Sequence, residues 1–75
     1  MAMDIRTDSS NQPYVEIDLA SGQRIRVTHV PDGWPGGEVV RVQIRVENGH
    51  LHQGPDIPLE NLGEVIQAMV ELIRR

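Results

Sequence analysis

The sequence predicts an α+β domain: a four-stranded antiparallel sheet made of two hairpins, then one C-terminal helix (ββββα), working as a dimer. Three observations predict it. Residues 14–28 and 38–54 alternate apolar and polar side chains, the two-residue period of half-buried strands. Asn48-Gly49 interrupts the strongest of these runs, and this dipeptide favours hairpins because both turn positions take φ > 0. From about residue 59 to 74 the apolar spacing switches to three and four, the period of a helix.

Taken in order, residues 1–13 are polar and aperiodic, with Asp8-Ser9-Ser10-Asn11-Gln12-Pro13 rich in turn formers, and are expected to form a flexible N-terminal arm. Residues 14–75 form a single domain. Val15, Ile17 and Leu19 alternate with Tyr14, Glu16 and Asp18 in the first strand, and Ile25 and Val27 with Arg24, Arg26 and Thr28 in the second. A three-residue loop, Ser21-Gly22-Gln23, keeps the two apolar sets on one face. It sets Leu19 opposite Ile25, Ile17 opposite Val27, Asp18 opposite Arg26 and Glu16 opposite Thr28.

Pro31 to Gly37 reads as a loop and carries the single tryptophan, Trp34. Residues 38–47 make the third strand and 50–54 the fourth. With Asn48-Gly49 as a two-residue loop, Glu47 faces His50, Val46 faces Leu51 and Arg45 faces His52. Gly54-Pro55 and Pro58 are expected to end strand pairing. In the helix, Leu62, Val65, Ile66, Met69, Leu72 and Ile73 form the apolar stripe. Glu60 and Glu64 near its start and Arg74-Arg75 at its end suit the macrodipole.

This organisation asks for a partner. Four strands at about 4.8 Å spacing are nearly twice as wide as a helix of about 10 Å, so one helix cannot cover the sheet. The helix stripe, extended to Val70, spans roughly 160°, wider than the ~100° of an ordinary surface helix. A second copy packed through Leu62, Val65, Ile66, Met69, Leu72 and Ile73 accounts for both excesses. The alternative is a tightly curled monomeric sheet with Tyr14, Trp34 and Ile57 at its edges.

Composition narrows the function. The chain has 75 residues, seven arginines, no lysine, eleven carboxylates and a net charge of −4. With no cysteine, disulfides and thiolate metal sites are excluded. No apolar run reaches the ~20 residues of a membrane span, and the start has no basic and hydrophobic leader pattern, so a cytoplasmic protein is expected. No nucleophile–base pair, phosphate loop or paired-carboxylate motif is recognisable, which points away from an enzyme, and no cofactor or metal is implied.

Four arginines, Arg24, Arg26, Arg41 and Arg45, share the polar sheet face with Gln43, Thr28, His50 and His52 in this register. Guanidinium groups pair with phosphates and stack on bases, so such a face suits a nucleic-acid strand. A solvated sheet face is ordinarily charged, and Glu16, Asp18 and Glu47 interrupt the basic field, with Asp18 expected to neutralise Arg26. His50 and His52 have an i, i+2 spacing that can hold a metal, but no third ligand accompanies them. Tyr14 and Trp34 are the aromatic residues, available for stacking on bases or for capping the sheet edge.

Two segments carry a resemblance. Val40-Arg41-Val42-Gln43-Ile44-Arg45 as a third strand, and Gly54-Pro55-Asp56-Ile57-Pro58-Leu59-Glu60-Asn61-Leu62 as the entry to the terminal helix, resemble the single-stranded-DNA-binding domain of transcriptional positive cofactor four. The resemblance covers roughly residues 14–74. It implies a homodimer with helices packed together and curved sheets holding a single strand through basic and aromatic groups. The family's lysines near strand four are replaced here by Leu51-His52-Gln53.

The functional expectation is therefore a small dimeric module for single-stranded nucleic acid, in transcription or DNA transactions, using Arg24, Arg26, Arg41, Arg45, Tyr14, Trp34, His50 and His52. The alternative is an acidic adaptor or inhibitor that captures a protein partner through its Trp34 loop and binds no nucleic acid.

Overall fold

The computed structural model describes residues 3–33, 36–47 and 49–75. It shows one antiparallel sheet followed by a helix: β1 (Arg6–Thr7), β2 (Pro13–Asp18), β3 (Arg24–Val30), β4 (Val39–Arg45), β5 (Leu51–Pro58) and α1 (Leu59–Arg74). The strands lie in chain order, β1-β2-β3-β4-β5. The sheet thus has five strands rather than four. The extra one comes from the segment expected to be an arm, where Arg6 pairs with Tyr14 and Thr7 with Pro13.

Three of the four hairpins, all but β3–β4, close in the same way. In each, one backbone N–H reaches the carbonyl four residues on: Asp8 to Gln12 at 3.0 Å, Leu19 to Gln23 at 2.8 Å and Val46 to His50 at 3.0 Å. Each loop's third residue donates back to the residue before the loop, and that third residue is left-handed: Asn11 (φ 63°), Gly22 (φ 89°) and Gly49 (φ 91°). This is the three-residue hairpin loop that ends on a left-handed residue. In the first of these loops the Asp8 carboxylate also accepts from the Ser10 and Gln12 amides, at 2.9 Å each.

Two registers move as a result. The β2–β3 loop is residues 20–22, one earlier than expected, so Ile17 faces Ile25, Val15 faces Val27, Glu16 faces Arg26 and Asp18 faces Arg24. Both loops have three residues, so the faces are preserved. The β4–β5 loop is residues 47–49, one longer than the expected Asn48-Gly49 turn; Asn48 itself lies outside the described residues. Here the faces exchange. Arg45 pairs with Leu51 and Ile44 with His52, so Leu51 leaves the apolar side and the histidines join it.

Nor does Gly54-Pro55 end β5. The strand runs through to Pro58 by a bulge, which sets residues 54 and 55 against Val42 and restores Arg41 opposite Asp56 and Val40 opposite Ile57. A side chain at Gly54 would strike the Val42 carbonyl oxygen, so this close backbone approach demands glycine.

The helix runs from Leu59 to Arg74 as its periodicity predicts. Pro58 precedes it in an extended conformation, and the Leu59 amide is satisfied by the Glu38 carbonyl at 3.1 Å rather than by a side-chain cap. It contacts β4 and β5 and no other strand, and none of its residues is buried.

Among the described residues, only Thr28, Val30 and Val39 are buried. They sit at one end of the sheet, under the loop that follows β3. A Cβ at Gly33 would run into the Val39 side chain, so the turn lies directly on it. The chain exposes 5931 Å², whereas a compact monomer of 8.4 kDa exposes about 4,600 Å². Its radius of gyration, 13.2 Å, likewise exceeds the roughly 11 Å of a compact 75-residue domain.

Candidate nucleic-acid interface

β3 and β4 place the arginines. Their register sets Arg24 beside Arg45, Arg26 beside Gln43 and Thr28 beside Arg41, all on one face. β2 adds Tyr14, Glu16 and Asp18 to that face, and β5 adds Leu51, Gln53 and Asp56. Four expected arginines and Tyr14 are therefore brought together. The Arg26 guanidinium lies over the Tyr14 ring, 4.0 Å from its centroid, a stacked cation–π contact.

Three carboxylates hold these arginines. Glu16 is the hub. Its Oε2 accepts from Arg26 Nη2 at 2.6 Å, Arg26 Nε at 2.9 Å and Arg45 Nη2 at 3.3 Å, while Oε1 lies 3.8 Å from Arg24. Arg24 Nε also meets Asp18 at 3.0 Å. Arg41 makes a two-pronged contact with Asp56, Nε to Oδ1 at 2.8 Å and Nη2 to Oδ2 at 3.1 Å. Arg45 Nη1 further donates to the Gly49 carbonyl at 3.0 Å, tying the face to the hairpin loop.

The expected neutralisation of Arg26 by Asp18 is thus corrected: register gives Arg26 to Glu16 and Asp18 to Arg24. Four arginines stand against three paired carboxylates, and Glu47 lines a pocket with Arg24 and Arg45, so the patch is close to neutral overall. Burial raises the Glu16 carboxyl, but the hydrogen bonds and charges of Arg26 and Arg45 outweigh it, and Glu16 titrates below its ordinary value. The hydrogen bond that Arg41 donates to Asp56, opposed in part by burial, raises the Arg41 guanidinium above its ordinary value.

The remaining expected residues fall elsewhere. His52 faces Ile44 and His50 closes the hairpin opposite Val46, so both stand on the apolar face, away from the arginines. Trp34 lies outside the described residues. The helix residues Ile66, Met69, Leu72 and Ile73 form an open apolar stripe, 53 to 86% exposed, while Leu62 and Val65 are half-buried. No cluster of three metal-ligating side chains occurs among the described residues, and no helix is long and apolar enough to cross a membrane. Sequence reasoning missed Asp56 as a member of the site. The signal was Gly54, whose bulge brings Asp56 into line with Arg41.

Comparison with protein-family models, with curated proteins and with solved structures gives no match.

Proposed function

We propose that this chain is a small homodimeric module that binds single-stranded nucleic acid on its arginine-bearing sheet face, in transcription or another cytoplasmic DNA transaction. One observation carries the reading: a single face carries Arg24, Arg26, Arg41 and Arg45, with Arg26 stacked on Tyr14. Guanidinium edges pair with successive phosphates, and the Tyr14 ring offers a stacking surface to a base. The resemblance to the transcriptional positive cofactor four domain supports the same ligand class.

The carboxylates shape the binding. A strand must draw the arginines from Glu16, Asp18 and Asp56, so affinity is modest and falls steeply with salt. The dimer supplies two such faces, which raises avidity for a strand long enough to span them. Its contacts run through the open stripe of Ile66, Met69, Leu72 and Ile73, with Leu62 and Val65 at the sheet end.

A second reading is an acidic adaptor that captures a basic protein partner with the Trp34 loop. The observation favouring it is that all four of these arginines are ion-paired. Fluorescence anisotropy with a mixed-sequence single strand at low salt separates the two. The first reading expects binding that Arg41→Ala with Arg45→Ala weakens across sequences. No binding by the wild type leaves the adaptor.

A further inference from the structure

The second face of the sheet has its own chemistry. Ile17 pairs with Ile25, Ile25 with Ile44, Val27 with Val42 and Val40 with Ile57. The same register sets His29 opposite Val40 and His52 opposite Ile44, and His50 opposite Val46 completes the row. All three histidines of the chain therefore stand on the apolar face, and every sheet arginine stands on the other.

We infer that a second copy of the chain covers this apolar face, and that its three histidines make the assembly come apart in mild acid. The inference rests on the homodimer of the preceding section and names a further part of its interface. The occupant follows from area. No residue of this face is buried, and Ile17 and Ile44 remain 41% and 38% exposed. The chain's own helix contacts only β4 and β5 and leaves its stripe open. The surface in excess of a compact monomer is roughly 1,300 Å² per chain. Two chains hiding that much remove about 2,600 Å² in total, within the range of obligate homodimers. A groove of about 270 Å³ on this face, lined by Ile5, Pro13, Tyr14, Val15, Val27, His29 and Val40, gives the partner's apolar side chains a seat.

The groups facing each histidine are specific. His29 Nε2 meets Glu38 Oε2 at 2.9 Å, and its other surroundings are the groove residues from β2, β3 and β4. His52 faces Ile44, with Ile25 beyond it. His50 faces Val46 and stands three residues after Glu47. The helix, the other element touching β4 and β5, carries Glu60, Glu64, Glu71 and Arg74, and Arg75 follows it as the C-cap.

A neutral imidazole enters an apolar seam far more readily than an imidazolium, which must shed its water. Histidine side chains take up protons between about pH 8 and pH 5, so acid favours the separated chains by linkage. Glu38 can offset this at His29; no such pairing stands opposite His52 in the register.

Sedimentation equilibrium of the full chain at about pH 8 and about pH 5.5 tests this, with wild type beside the triple variant His29→Gln, His50→Gln, His52→Gln. The wild-type dimer dissociation constant is expected to rise at least about tenfold on acidification, and the variant's to stay within about twofold. Circular dichroism checks that the variant is folded. If it is not, His52→Gln alone must still shrink the response, and an undiminished response overturns the inference. A wild-type dimer indifferent to pH, or a folded triple variant with the full response, overturns the inference and leaves the homodimer standing. A wild-type monomer at about pH 8 overturns both.

Discussion

Arg41 and Asp56 meet across β4 and β5 through two hydrogen bonds, Nε to Oδ1 at 2.8 Å and Nη2 to Oδ2 at 3.1 Å. The pair spans 15 residues of chain and forms only because the β5 bulge adds one residue before Asp56. Forked guanidinium–carboxylate contacts are stronger than single-point pairs, and Asp56 is only 13% exposed. A double-mutant cycle with Arg41→Ala and Asp56→Ala, read by urea unfolding, should give a coupling energy of about 1 kcal/mol.

Two glycines should respond to alanine with opposite signs. Gly54→Ala forces a methyl group onto the Val42 carbonyl and should cost about 1–3 kcal/mol. Gly63→Ala lies inside the helix with nothing near its added Cβ and should stabilise by about 1 kcal/mol. Thermal melts of both variants check the bulge and the helix independently.

Acid should reach the arginine face through Glu16. Its folded pKa lies below the ordinary 4.5, so its ion pairs contribute stability above that pH. The contribution disappears as pH falls from 4.5 through the depressed folded value. Wild-type melting temperature should drop through this window, and that of Glu16→Gln should start lower and drop less.

Met69→Glu should abolish the dimer and cooperative folding together. Met69 is 60% exposed on the helix stripe of the single chain, and in the proposed dimer a carboxylate there would enter an apolar seam. Light scattering and a urea melt should both change. A folded, dimeric Met69→Glu variant would move the interface off this stripe.

Much of this fold was legible from period alone. The helix from Leu59 to Arg74 follows from its apolar spacing, and the faces of β2, β3 and β4 follow from alternation. What alternation cannot supply is loop length. Asn48-Gly49 suggests a two-residue turn, but Gly49 takes the left-handed place at the end of a three-residue loop, as Gly22 and Asn11 do in theirs. That single added residue moved Leu51, His50 and His52 across the sheet. The bulge at Gly54 was equally hidden, because glycine beside proline reads as a strand end until the Val42 carbonyl is seen against it. The arginines of the candidate site were legible from parity. Their carboxylate partners were not, because a pairing one step along the strand changes who faces whom.

The claim that the arginine face takes a nucleic-acid strand is tested most directly by a salt titration of single-strand binding, with wild type beside Glu16→Gln. Removing the Glu16 charge frees Arg26 and Arg45 for phosphate. Wild-type affinity should fall with salt along a negative log–log slope of about 0.7 per phosphate contact, and Glu16→Gln should bind more tightly with a steeper slope. Absence of binding at low salt, or binding that salt and the Glu16 charge leave unchanged, would contradict it.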